Sequence, residues 1–309
     1  MTVSVYIAIA LTFFSCLVYP QRSLAQESSD EPYFVRDSIL NSTYEEQNIH
    51  FRADGRALVF SSNRKGVHYW NQTYYEDGIA FHDADIYISF RDSANPTSRW
   101  SRPMAACDKI NTQLDDVHPV LLGSSLIYVS WQEGWEYKNG PFFRAKVDQG
   151  LSAMLTSKGL SKYIRTFFQK NGLKAIGGMS ITETGTLIFS AGQSAEEDMD
   201  LFFAKRFPDG QWGIPQRLRC SSKEDERGVF YEAENRLLYF SSNRTGKSFG
   251  GYDLYVCTFH ESATTIDIGE TSNLGSLFNS AHDEIGYASL PSGERYIIRG
   301  GDLFRLIEN

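Results

Sequence analysis

The sequence predicts an all-β fold: a single β-propeller of five four-stranded blades, closed by an N-terminal strand. Three observations carry that reading. The phrase Leu58-Val59-Phe60-Ser61-Ser62-Asn63-Arg64 returns as Leu238-Tyr239-Phe240-Ser241-Ser242-Asn243-Arg244. An Asp-apolar-aromatic mark occurs four times, as Asp85-Ile86-Tyr87, Asp200-Leu201-Phe202, Asp253-Leu254-Tyr255 and Asp302-Leu303-Phe304. The chain has 21 Phe, 17 Tyr and 25 Gly against 9 Pro, a composition that suits short strands joined by tight turns. One such sheet cannot bury both of its faces, whereas a ring of copies can.

The chain opens with an apolar run over residues 3–19, then Ser23-Leu24-Ala25, small residues at the spacing a signal peptidase reads. Residues 1–25 are therefore read as a signal peptide and 26–309 as the propeller, with no stable membrane span in the mature chain. Arg22, one of 30 basic residues, is the only charge in that leader, so 29 basic residues would remain against 38 acidic. That balance opposes binding to nucleic acid or anionic lipid, and favours a cation, a basic partner or a neutral polymer. Three cysteines would remain, Cys107, Cys220 and Cys257, an odd number that cannot complete a disulfide framework. A Cys220–Cys257 bridge and buried free thiols both stay open.

Five apolar strands follow in order: Ala57–Phe60, Leu126–Val129, Thr186–Phe189, Leu237–Phe240 and Arg295–Ile298. Each comes after a turn, namely Asp54-Gly55, Gly123-Ser124, Thr184-Gly185, Glu234-Asn235 and Ser292-Gly293, whose residues tolerate the positive φ of a tight hairpin. In the second unit Phe142-Phe143-Arg144 stands where the Asp mark has been lost. Trp100-Ser101-Arg102-Pro103 and Trp212-Gly213-Ile214-Pro215 mark outer strands, where proline is tolerated at an unpaired edge. Between the second and third units Leu160, Tyr163, Ile164, Phe167 and Phe168 recur at helical spacing opposite Lys162, Arg165 and Lys170. This predicts a short amphipathic helix that packs on the ring or docks a partner. The last unit runs out of chain after three strands, and Pro32–Leu40 stands where an outer strand should precede the first. That segment is predicted to supply the missing strand and close the ring, which removes an exposed sheet edge.

A further motif links neighbouring units. It reads Asn41-Ser42-Thr43-Tyr44-Glu45-Glu46, Asn111-Thr112-Gln113-Leu114-Asp115-Asp116 and Asn279-Ser280-Ala281-His282-Asp283-Glu284, with Ser221-Ser222-Lys223-Glu224-Asp225-Glu226 as a looser copy. Taken with Phe-Ser-Ser-Asn-Arg and with Gly250-Gly251-Tyr252-Asp253-Leu254-Tyr255, these phrases resemble the TolB-like, tryptophan–aspartate-related β-propeller repeats of secreted and periplasmic bacterial proteins. The resemblance spans residues 32–309, strongly in the first and fourth units and loosely in the second and third. It implies a periplasmic or secreted propeller that serves as a binding surface, and it is specific for fold more than for function.

Several residues look chemical. Arg64 with Asp85, and Arg244 with Asp253, are read as structural Arg–carboxylate pairs that hold adjacent strands in register. The acidic pairs precede the innermost strands, so they should gather near one mouth of the channel, where they either cap backbone donors or bind a cation. Ala175-Ile176-Gly177-Gly178 departs from that pattern and would open the channel on one side. His50, His118 and His282 could converge on a divalent cation. The segment 67–83 is too long for its repeat and carries Tyr69, Trp70, Tyr74 and Tyr75. The matching loop of the second unit has Trp131, Trp135 and Tyr137. Aromatic loops on a rigid scaffold either recognise a ligand or fold down as a lid. No nucleophile elbow, phosphate loop or zinc-protease motif occurs. The expected function is therefore non-catalytic: an exported module that binds or scaffolds a protein or glycan partner. The alternative is a carbohydrate hydrolase or lyase using Asp116, Glu226 and Glu284.

Overall fold

The structure is a computed structural model. It describes residues 31–64, 73–76, 79–123, 125–130, 140–146, 154–155, 162–194, 199–246, 248–263 and 265–308. Five antiparallel sheets form the blades of a propeller, each with one inner strand beside the channel. The first blade runs Glu46–Phe51, Ala57–Ser62, Asp85–Phe90 and Met104–Ala105. The second runs Asp116–Leu122, Ser125–Ser130, Phe142–Lys146 and Met154–Leu155. The third runs Ala175–Ile181, Leu187–Gly192, Asp200–Ala204 and Gln216–Arg217. In the fourth, Glu226–Glu232, Leu237–Ser242 and Asp253–Glu261 are flanked by Ile266–Ile268 and Ser272–Asn273, which both pair with the third strand.

The fifth blade closes the ring as predicted. Glu284–Ser289, Arg295–Arg299 and Asp302–Ile307 are joined by Tyr33–Arg36, in the register Tyr33 to Ile307 through Arg36 to Phe304. The N-terminal strand thus fills the last edge of the C-terminal sheet, and no sheet needs an exposed partner to complete it. Arg36 fixes the splice with two bonds to Asp302, at 2.8 and 2.7 Å, and Phe34 meets Phe278 edge-on at 5.4 Å.

The expected turns appear at Gly55, Gly123, Gly185 and Gly293, all with positive φ. In the fourth blade the positive φ falls one residue later than expected, on Arg236. The tryptophans are not part of the outer strands, which begin just past Pro103 and Pro215. Each plugs the gap between strands instead: Trp100 Nε1 donates to the Tyr296 hydroxyl at 3.0 Å, and Trp212 Nε1 to the Gly185 carbonyl at 2.7 Å. The helix is Lys162–Asn171, and its buried side chains Ile164 and Phe168 join the cluster holding Phe142 and Phe189. Packing on the ring is therefore what that apolar stripe does. Cys107, Cys220 and Cys257 are free, and Cys220 and Cys257 lie buried in one hydrophobic cluster.

Candidate functional site

The repeated polar phrases explain one another once the blades are in place. The first residue of the linking motif reaches back to the preceding blade and brackets one residue of its third strand. Asn41 accepts from Leu303 N and donates to Leu303 O; Asn279 does the same to Leu254, and Asn111 to Ile86. Ser221 makes the looser version, accepting from Leu201 N at 2.9 Å. The bracketed residue follows the Asp of each mark. Backbone groups that would otherwise be buried without partners are satisfied across every one of these joints.

The two acids of each pair have separate tasks. The second member turns inward and caps its own loop: Ser42, Ser222 and Ser280 each donate their hydroxyl at 2.6 Å to Glu46, Glu226 and Glu284. The backbone N–H of Thr112 serves Asp116 at 2.5 Å. The first member latches the preceding blade, with Asp115 accepting from Ala84 N, Asp225 from Met199 N and Asp283 from Tyr252 N. Glu46, Asp116, Glu226 and Glu284 are fully buried. The residues named as alternative catalysts, Asp116, Glu226 and Glu284, are thus each engaged inside their own blade.

The arginines also take other partners than the sequence indicated. Arg64 pairs with Glu46 at 2.7 Å and Arg244 with Glu226 at 2.9 Å, and each guanidinium lies over two aromatic rings. Asp253 accepts instead from Phe249 N and from Asn273 of the outer strand. The geometric reason is that strand direction carries Arg64 and Arg244 back over the loop that opens their own inner strand. In the fifth blade Arg299 comes from a different position, two residues earlier, yet reaches Glu284 at 2.7 Å. The second blade places Ser130 opposite Asp116 where the first places Ser62 opposite Glu46, so its sequence offers Gln132 in the place of Arg64. Asp116 accordingly has no ion-pair partner among the described residues, and burial pushes its carboxyl up to about 8.

A cavity lies at each end of the channel between the inner strands. One mouth, at the start of the inner strands, is a cavity of about 620 Å³. Glu45, Asp115 and Asp283 lie on its rim and Ile176, Gly177 and Met199 form the wall on the side of the third blade. Ala175–Gly178, expected to open the channel on one side, contributes Ile176 and Gly177 to that wall. The other mouth, at the ends of the inner strands, is a cavity of about 230 Å³ lined by Phe51, Leu121, Phe230 and Leu290.

The three histidines separate. His118 lines the larger cavity and His50 the smaller one. His118 Nε2 donates to the Ile176 carbonyl at 2.7 Å, and His50 Nδ1 accepts from Leu121 N at 3.2 Å. Burial drives both imidazoles down to about 4, so both are neutral at ordinary pH. His282 lies exposed in the loop before the fifth blade. Among the described residues no three His, Cys, Asp or Glu gather as metal ligands. Tyr69, Trp70, Trp131, Trp135 and Tyr137 lie outside the described residues, and so does the leader 1–25. Tyr74 and Tyr75 sit in a two-stranded hairpin, Thr73–Glu76 with Ile79–His82. Gln47, Asn48, Asn63 and Arg227 line the larger cavity without having been singled out from sequence. Asn63 belongs to the repeated phrase, with Asn243 as its counterpart, whereas Gln47, Asn48 and Arg227 only follow a repeated acidic pair.

The molecule is thus a five-bladed β-propeller with an acidic cavity at one mouth of its channel. No family model matches the chain, and no curated protein sequence does. Among solved structures, it is similar to an α-L-arabinofuranosidase from Clostridium thermocellum at 11% identity, with a TM-score of 0.47 over 82% of this chain and 81% of that one. An exo-β-1,3-galactanase from the same organism gives 12% identity and a TM-score of 0.49 over 88% and 61%. A sialidase from Streptococcus pneumoniae gives 10% and 0.43 over 89% and 58%. Likenesses this distant carry no argument about activity, and the architecture rests on the sheets themselves.

Proposed function

We propose that this protein is an exported, TolB-like propeller that binds or scaffolds a protein or glycan partner and catalyses no reaction. One observation carries the reading. The buried carboxylates best placed for acid–base work, Glu226 and Glu284, each hold an arginine and a serine of their own blade. A carboxylate so engaged is a clamp, since releasing it to a substrate would leave a half-buried guanidinium without its counter-charge. The mouth above them displays amides, carboxylates and an apolar wall, which is the lining of a recognition surface. The signal-like leader and the repeat phrases support export to the periplasm or the cell exterior.

Asp116 favours a second reading, a carbohydrate-active enzyme, because a carboxyl raised to about 8 is protonated at neutral pH as a general acid must be. Incubation of the purified protein with neutral and acidic oligosaccharides, followed by chromatography of the products, separates the two. Unchanged oligosaccharides are the expected result. Cleavage that disappears in Asp116→Asn would establish the enzyme instead, and one equivalent of bound metal lost in His118→Ala would favour it.

A further inference from the structure

Every inner strand carries a bulge, between Gln47 and His50, Val117 and Val120, Ile176 and Gly178, Arg227 and Phe230, and Glu284 and Tyr287. Each bulge holds one residue at positive φ. Three blades use glycine there, where a side chain would be crowded. A Cβ on Gly178 would come within 3.0 Å of Gly228 N, and one on Gly228 within 3.1 Å of Gly286 N. The first and second blades instead place Asn48 and His118 at φ of 51° and 54°. Those values sit in the left-handed region, which an L-residue with a Cβ enters only against steric resistance. Glycine would be the easier residue at both positions, so the two side chains are there for what they present.

Both line the large cavity. His118 is 6% exposed, its Nε2 is tied to Ile176 O, and its Nδ1 is a buried acceptor with no hydrogen-bond partner. Asn48 is half-buried beside it on the neighbouring inner strand. Around the rim stand three carboxylates, Glu45, Asp115 and Asp283, against the single guanidinium of Arg227. Arg227 already leans on Asp225 at 3.6 Å and on the Tyr252 ring. Lower down, Val117, Ile285 and Ile298 supply apolar surface. Neutral imidazole lone pair, amide oxygen and carboxylates all accept hydrogen bonds, so the complementary group is rich in N–H donors and positively charged.

Building on the binding-module reading, we propose that the channel mouth is a socket for a basic side chain, the ammonium or guanidinium of a lysine or arginine on a partner polypeptide. The carboxylates attract the charged head, Asn48 and His118 accept its protons, and the aliphatic stem lies on Val117 and Ile285. The net negative charge of the chain favours approach of such a partner.

The test titrates the 15N-labelled full chain with Nα-acetyl-lysine amide and Nα-acetyl-arginine amide, using Nα-acetyl-norleucine amide as a neutral control. Shift changes confined to the channel mouth and seen only with the basic probes are expected. His118→Gly should weaken binding about tenfold or more, and Glu45→Gln about twofold to fivefold. Asn48→Gly should weaken binding while leaving the melting temperature equal or higher, because glycine relaxes the backbone. Equal response to norleucine, or unchanged affinity in both glycine variants, overturns the socket. So does a lowered melting temperature in Asn48→Gly with binding intact, since Asn48 would then be structural. Preferential binding of a neutral oligosaccharide at the same mouth overturns the socket but keeps the binding module, whereas oligosaccharide cleavage removes the module reading itself.

Discussion

Arg244 and Glu226 show how a single pair holds a blade. The carboxylate is fully buried, and Arg244 links it to the Cys220 carbonyl at 2.9 Å, which fastens the loop that opens the blade. Arg64 does the same to Leu40 and Arg299 to Phe278. Arg244→Ala would leave Glu226 buried with only hydroxyl and amide partners, and should cost about 2–4 kcal/mol in chemical denaturation. Binding at the channel mouth should not change. Asp116 reports the opposite condition, a buried acid with no cation beside it among the described residues. Its folded pKa near 8 lies above the ordinary aspartate value of 3.8. Between those values the folded chain holds the proton more tightly than the unfolded chain, so this group's contribution to stability falls as pH rises through that window. Asp116→Asn should therefore match the wild type below about pH 4 and melt several degrees higher near pH 9, as followed by circular dichroism. Equal pH profiles for the two proteins would show that Asp116 is already ionised in the fold.

At the level of elements, the joints between blades matter as much as the strands. Asn279 bonds both backbone groups of Leu254 and also Asn273, so it ties the fourth blade's outer and third strands to the fifth. Asn279→Ala would leave buried N–H and C=O groups unmatched and should cost about 2–4 kcal/mol. The closing strand is the most exposed joint, because Tyr33–Arg36 is short and mostly solvent-facing. Its hold comes from Arg36–Asp302, Phe34–Phe278, fully buried Leu40 and the Asn41 bracket on Leu303. Deleting residues 27–40 should lower the melting temperature markedly or prevent folding. An unchanged melting temperature would mean the ring is held by its other joints alone.

Across the whole molecule, the inner strand of each sheet packs beside those of its neighbours, and hydrophobic clusters span the junctions of the first, fourth and fifth blades, of the second with the third, of the first with the second and of the third with the fourth. A ring of this kind cannot lose one blade without exposing two interfaces. One cooperative transition is expected in calorimetry, and Asn279→Ala should move it as a unit without adding a second peak.

Much of this was legible beforehand. Blade count, strand positions, the helix and the closing segment follow from a short repeat whose period and hydrophobic alternation are local properties of the chain. The roles of Arg64, Arg244 and the acidic pairs were legible only as fold signature. Which acid each arginine meets depends on how strand ends overhang the loop before them, a relation among residues 18 apart that no local pattern encodes. The left-handed backbone at Asn48 and His118 was not legible for the same reason, although His118 itself stood out as a histidine.

The amino-acid sequence alone determined that a small antiparallel sheet is copied five times and that its ends must meet, because burial of alternating apolar residues leaves few other solutions. Only the tertiary structure decided which carboxylates face the channel and which lock the blades. That choice turns on distances of a few ångströms across blade junctions, set by inner-strand bulges where glycine backbones touch and two side chains stand in their place.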